Sequence, residues 1–449
     1  MEPSMSYIPH TDVERQQMLS AIGATTIEDL FDAVPAAHRF PKLDLPAPMS
    51  EMEVVAELTA LSEANEHAGD FAIFRGAGAY HHFIPSAVNH ILLRGEFYTA
   101  YTPYQPEVSQ GTLQAIFEYQ SMMCTLTGMD AANASHYDGA TSLAEAVTVA
   151  LEVGRYKRNK IILSHAINPQ YRAVLRTYHQ GRDLKIVGDA GKADVPDLLD
   201  MLDENTAMVA VAYPNFFGQI EDFRNLAEKV HNAGALLVVV ANPMALALFR
   251  SPGELGADMV VGEGQPLGIP LGYGGPYLGF FATRTEYVRK IAGRIVGETL
   301  DQDGKRAYVM TLRPREQDIR REKASSNICT NQGLMSLAAC VYLSLMGKHG
   351  LRKAAELCYH KAHYAAKQID ALPGFQVDTS KPFFHEFVVK CPRPVRDIND
   401  ALIEKGIIGG YDLGADYPHL KDHMLLCVTE MNNKDEIDAL VEGLKEVSK

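Results

Sequence analysis

Four short, almost uninterrupted apolar runs, NKIILS, LKIVG, TAMVAVAYP and ALLVVVA, recur between residues 159 and 241, with longer amphipathic segments between them. A strand that is apolar on both faces must be covered on both faces, and parallel strands need crossovers long enough to hold a helix. PQYRAVLRTYHQG, VPDLLDMLDE and IEDFRNLAEKVHNAG supply such helices, and TLQAIFEYQSMMCTLTG, stopped by Gly128, and SLAEAVTVALEVGRYK precede them. The alternation predicts an α/β domain with a mostly parallel sheet, from about residue 91 to about 325.

The flanks read differently. Residues 1 to about 90 carry little strand signal and predict a helical arm, broken by the Pro-rich PKLDLPAPMS, with Thr11 and Ser50 as helix caps. Such an arm either wraps a neighbouring subunit or packs as an appendage. From 326 to 449, the apolar helix TNQGLMSLAACVYLSLMG leads into HEFVVKC, ALIEKGIIGGYDLG, HMLLCVTE and KDEIDALVEGLKEV, a small C-terminal α+β domain.

At 449 residues, 47% hydrophobic and 22% charged, the chain has the make-up of a globular protein with a large core. A net charge of −14 speaks against general nucleic-acid binding, which needs clustered Lys and Arg. Six scattered cysteines without a CxxC pair suit a reducing cytoplasm. The N-terminus lacks a signal-peptide pattern, and no apolar run approaches the ~20 residues of a membrane span. A soluble, cytoplasmic protein is expected.

Most catalytic signatures are absent: no HExxH, nucleophile elbow or Walker loop occurs. GAGAY at Gly76–Tyr80 does not follow an evident strand, so it is a weak cofactor signal. Cys358, His360 and His363 lack the spacing of a zinc site, and no metal is expected. What remains is GALLVVVANPMALALF followed by GADMVVGEGQPLGIPLGYGGP. A buried strand, a connection and a second strand ending in a glycine-rich turn form the frame of a pyridoxal phosphate (PLP) site. Such a site needs a carboxylate near the ring nitrogen and a lysine for the aldehyde. Here an aliphatic residue and an amide stand in those places.

Together with YTPYQPEVSQGTLQAIFEYQ, YDGATSLAEA and REKASSNICTNQGL, that stretch resembles the glycine cleavage system P-protein family, in its subunit 1 or N-terminal half, over essentially the whole chain. The resemblance implies the fold of PLP-dependent transferases of the aspartate aminotransferase type (fold type I). It implies a glycine decarboxylase that works only with a homologous PLP-bearing subunit 2, as an α2β2 assembly. That enzyme releases the glycine carboxylate as CO2 and passes the aminomethyl group to the lipoyl arm of H-protein.

Set against the PLP-bearing subunit, with its DGAN strand, HGTNP turn and LHKTF loop, VVAN puts Val239 at the aspartate position. GQPLGIP puts Gln265 at the lysine position, and HAINP puts His165 where a ring would stack. Val239 cannot hold a pyridinium and Gln265 has no amine, so PLP is expected on the partner and His165 is expected to be a packing relic. The turn at Gly139, Ala140, Thr141 and Ser142 is either a remnant phosphate cradle at a helix N-terminus or simply a cap.

By the same resemblance this chain contributes residues to the partner's site. The candidates are Tyr101 and Tyr104, phenols flanking a Pro-containing turn, and Ser326, Asn327 and Thr330 after the charged stretch LRPREQDIRREK. For the tyrosines plain packing is the other reading; for the second group it is a solvated helix face followed by a cap. Two further functions stay open. One is a self-sufficient PLP enzyme using an unexpected lysine such as Lys323. The other is a structural or regulatory pseudoenzyme.

Overall fold

A computed structural model describes residues 10–190 and 195–447. Its contacts separate residues 1–66 from residues 67–449. In the first unit, helices Asp12–Ala21 and Glu51–Glu63 start where expected. Thr11 and Ser50 each cap through a reciprocal bond with the glutamate three residues on, Glu14 and Glu53. The second helix buries none of its residues, and Met52, Val55, Leu58 and Leu61 are all more than half exposed. Residues 1–9, part of the N-terminal run read for a leader, lie outside the described residues.

The arm read to about residue 90 divides at 66 because the chain beyond it belongs with the C-terminal elements. Strand Ala72–Ile73 pairs in parallel with Ile407–Ile408, and Phe74 is fully buried in the C-terminal core. No local pattern announces a two-residue strand whose partner lies so far along the chain.

The larger unit is built on a seven-stranded sheet. Its order runs Ala131–Ala132, Gly279–Thr283, Met259–Glu263, Leu236–Ala241, Thr206–Tyr213, Lys160–Leu163, Lys185–Val187. The five strands from Met259–Glu263 to Lys185–Val187 are parallel, as the apolar runs require. Gly279–Thr283 runs antiparallel to both its neighbours, Met259–Glu263 and Ala131–Ala132, so the sheet is mostly parallel but mixed near one edge. Two apolar layers cover its faces. One holds Leu143–Leu151 of helix Gly139–Val153, and the other holds Tyr119, Met123 and the helix that begins at Gly333.

That last helix, Gly333–Asp370, is interrupted at Gly347, whose φ of 56° breaks the regular geometry. By length and composition alone it could span a membrane, contrary to the reading that no apolar stretch was long enough. It is a core helix: Ala338, Ala339, Tyr342, Ala355, Cys358 and Ala362 are fully buried, against helices Ser86–Leu92 and Gln110–Thr127 among others. Beyond it, an antiparallel sheet of Gln376–Val377, Glu386–Lys390, His423–Cys427 and Tyr411–Asp412 carries helices Val395–Ile403 and Lys434–Val447. One unanticipated hairpin, Ile295–Leu300 with Arg306–Thr311, turns at Asp303-Gly304.

Candidate functional site

The carboxyl ends of parallel strands are where α/β folds place their ligands. Strands Thr206–Tyr213, Leu236–Ala241 and Met259–Glu263 end together around a cavity of about 70 Å³. Pro214, Val240, Asn242 and Glu263 line it from the sheet, Tyr171 from a helix, and Tyr80 and Glu386 from outside the sheet. Ligand pockets usually offer ~300–1,000 Å³. This one holds no more than a few water molecules.

Polar side chains in and next to the lining are bonded within the chain. Gln265 is 1% exposed, and its amide is locked by three bonds: Tyr80 N donates to Oε1 at 2.8 Å, while Nε2 donates to Tyr80 O at 2.9 Å and Ile269 O at 2.7 Å. Glu263 accepts from three backbone N–H groups, those of Gly139 at 3.1 Å, Gln265 at 3.0 Å and Leu278 at 2.9 Å. Glu386 accepts from Ala77 N at 2.7 Å and from the Tyr80 hydroxyl at 2.9 Å. Burial pushes both carboxyls up to about 7 despite these donors. His385, also in the lining, is held neutral by burial and by His82 beside it.

The residues singled out from sequence distribute unevenly over this site. Gln265 does not line the cavity; it is buried and bonded to the backbone of Tyr80, which does. Val239 is fully buried inside the sheet, between Val211 and Val260, and does not line the cavity. Because strand side chains alternate in direction, the aliphatic residue that faces the cavity is its neighbour Val240. His165 lies outside the lining, near the Phe217 ring at 5.8 Å, on a separate recess of about 280 Å³. Thr141 serves as a cap partner: its N–H donates to Asp138 Oδ1 at 2.7 Å, and its hydroxyl accepts from Asp138 N at 3.1 Å. GAGAY does follow a strand, the short Ala72–Ile73, and contributes Gly78 and Tyr80 to the cavity.

Pyridoxal phosphate does not fit these residues. Among the described residues no lysine lines the cavity, and Lys323 is exposed on a separate turn. An aliphatic side chain faces the space on the central strand, and a carboxylate already holds the first N–H of helix Gly139–Val153.

A second cluster forms where Tyr101, Tyr104 and Thr330 meet. Tyr101 is 78% exposed at the rim of a groove of about 210 Å³ shared with Thr330, Asn331 and Gln332. Tyr104 is held in place: Arg294 donates to its hydroxyl at 3.0 Å, and the Arg294 and Arg313 guanidinium groups lie 5.4 and 5.0 Å from its ring. Arg294 also donates to Thr330 Oγ1 at 3.3 Å, pairs with the buried Glu316, and anchors the cluster. Thr330 and Thr102 share a hydroxyl–hydroxyl bond.

Ser326 turns inward and donates to Glu145 at 2.7 Å, while Asn327 is exposed. The stretch 313–323 is three short turns rather than one helix, although residues 317–323 are exposed as the reading of a solvated face expects. Sequence reading passed over Arg294, Glu263 and Glu386. Only Glu263 carried a local signal, as a charge at the end of an apolar run.

Cys358 meets neither His360 nor His363. It donates to Glu430 Oε2 at 3.1 Å, an oxygen that also lies 2.7 Å from His82 Nδ1. These three donors would suit a metal by distance, yet each is already committed to the others.

The family model described as glycine cleavage system P-protein matches residues 5–444. A curated relative from Thermomicrobium roseum, described as a probable glycine dehydrogenase (decarboxylating) subunit 1, is 55% identical over 99% of this chain and 100% of its own. One of the same description from Geobacillus kaustophilus is 51% identical over 98% of each chain. Among solved structures, an inhibitor-bound glycine decarboxylase (P-protein) superposes with a TM-score of 0.91 at 43% identity, over 99% of this chain and 100% of that one. A Lactobacillus brevis glutamate decarboxylase gives 0.69 at 14% identity, over 94% and 98%, a likeness of fold alone.

Proposed function

The chain belongs to the glycine cleavage system P-protein family, in its subunit 1 form, and from that premise we propose that it is the coenzyme-free half of a two-subunit glycine decarboxylase. Its fold is that of the PLP-dependent transferases, and the designation of its relatives implies a second subunit. The observation that carries the proposal is the small cavity without a lysine, in which Glu263 is bonded to the backbone and Tyr80 is locked to the buried Gln265. The coenzyme then belongs to subunit 2. By kinship, CO2 release and transfer of the aminomethyl group to the lipoyl arm of H-protein take place there, in an α2β2 assembly.

This chain's part is to wall that site. Tyr104, fixed by Arg294, offers a phenol that needs no reordering when the partner docks. Tyr101, exposed on the free chain, would be covered by the partner and exclude water from the reacting end. Thr330, tied to Thr102 and Arg294, holds the floor of the groove, and Asn327 is open to contact. Ser326, committed to Glu145, acts as a positioning residue. The exposed apolar side of helix Glu51–Glu63 is proposed to pack on subunit 2. A cytoplasmic location is proposed as well, supported by six cysteines that form no disulfide.

The test is carboxyl exchange between glycine and bicarbonate in the reconstituted complex. Tyr101→Phe and Tyr104→Phe are each expected to slow exchange about tenfold, ~1.4 kcal/mol in the barrier, with assembly by size-exclusion unchanged. Full exchange in both variants would remove the tyrosines from the site. A pseudoenzyme that only stabilises its partner predicts the reverse pattern, altered assembly with intact turnover.

A further inference from the structure

We infer that Glu263 is a built-in anion, occupying the seat that this fold offers to a coenzyme phosphate and keeping the cavity shut to phosphorylated ligands. The inference rests on the reading above that this chain carries no coenzyme, and it adds the device that excludes one.

Three features carry it. The first is the origin of the donors. Glu263 takes N–H groups from the start of helix Gly139–Val153, from the turn after its own strand at Gln265, and from Leu278 before strand Gly279–Thr283. Backbone N–H groups converging from a helix N-terminus and adjacent loops are the usual setting of a bound phosphate. The second is closeness. A Cβ on Gly139 would lie 2.8 Å from Glu263 N and 2.9 Å from Gly262 C, so the helix start approaches the strand end as only glycine allows. The third is economy of chemistry. Burying a carboxylate is unfavourable by several kcal/mol unless it meets donors, and an apolar plug would fill the same volume without that cost. The carboxylate makes sense because the three N–H groups need an acceptor whether or not a ligand is present.

Two further donors of the helix start are engaged as well. Asp138 takes Thr141 N–H through its side chain and Ser142 N–H through its carbonyl. The buried Tyr171 phenol lines the cavity beside Glu263, whose charge, after burial, raises its pKa further.

The full-length chain and Glu263→Ser are compared by thermal unfolding at pH 8, with inorganic phosphate against chloride of equal ionic strength. The variant bares the three N–H groups and is expected to gain a saturable rise in Tm of about 3 °C or more with phosphate. The unaltered chain is expected to show none. A folded Glu263→Ser without the gain overturns the inference while leaving the coenzyme-free reading standing. A phosphate-dependent rise in the unaltered chain overturns both. If Glu263→Ser does not fold, Glu263→Gln decides. It keeps the volume but has one acceptor oxygen for N–H groups that now engage two, so it is expected to melt below the unaltered chain. Equal or higher Tm in that variant contradicts the role assigned to the charge.

Discussion

Gln265, at the position the family resemblance gives to the lysine, leaves no hole: three bonds hold its amide. A lysine ammonium there could donate to Tyr80 O and Ile269 O, but it would be buried without a carboxylate partner and would leave Tyr80 N–H without an acceptor. Gln265→Lys is therefore expected to destabilise the chain by ~2–4 kcal/mol, read as a fall in Tm, without conferring coenzyme absorbance when PLP is added. A stable, yellow variant would mean that the cavity is merely unfilled rather than rebuilt. The substitution itself was legible in the sequence, because a missing amine or carboxylate is a local fact. Its consequences were not. Gln265 finds its partner 185 residues away and Tyr80 finds Glu386 306 residues away, and no periodicity links such pairs. Val239 shows the opposite limit: alignment located the strand, but alternation of side chains gave the cavity to Val240.

At the scale of elements, those with strong local signals were legible. Apolar runs gave the parallel strands, and Thr11, Ser50 and Gly128 marked helix ends through caps that act within a few residues. Elements that exist only by long-range pairing were missed, as with Ala72–Ile73 against Ile407–Ile408. The antiparallel strand Gly279–Thr283, second from one edge, was likewise absorbed into the expectation of a mostly parallel sheet. Helix Glu51–Glu63 is a further case: it is capped correctly, yet it buries nothing. An isolated helix of this length is marginal in water, so its apolar side chains call for a covering surface. A Met52→Asp, Leu58→Asp double variant is expected to leave the Tm of residues 67–449 unchanged and to weaken association with subunit 2 at least tenfold, ~1.4 kcal/mol or more. Undiminished association, by sedimentation or size-exclusion, would remove the arm from the interface.

For the molecule as a whole, buried carboxyls set how stability responds to pH. Glu145, Glu263 and Glu386 are each pushed by burial up to about 7, above the 4.5 of an unperturbed glutamate. A raised folded-state value contributes stability that is full below about 4.5 and is lost as pH rises through about 7. Glu430 has the opposite sign. Burial opposes it, but the bond with His82 and the N–H of Phe83 bring it down to about 2, so its contribution is present above 4.5 and lost as pH falls through 2. Histidines held neutral by burial, His136 and His385 among them, have the opposite slope up to about pH 6.5, so the carboxyls are read by difference: the Tm of the isolated chain minus that of Glu386→Gln is expected to fall from pH 5.5 to pH 8. A difference that rises over the interval would show that Glu386 is not buried as described.

The claim on which the rest depends is where the coenzyme sits in the assembled enzyme. Borohydride reduction of the reconstituted complex with PLP, followed by peptide mapping of both subunits, reads this directly. The account predicts a pyridoxyl-lysine on subunit 2 and none on this chain. A pyridoxyl-lysine on any peptide of this chain would contradict it.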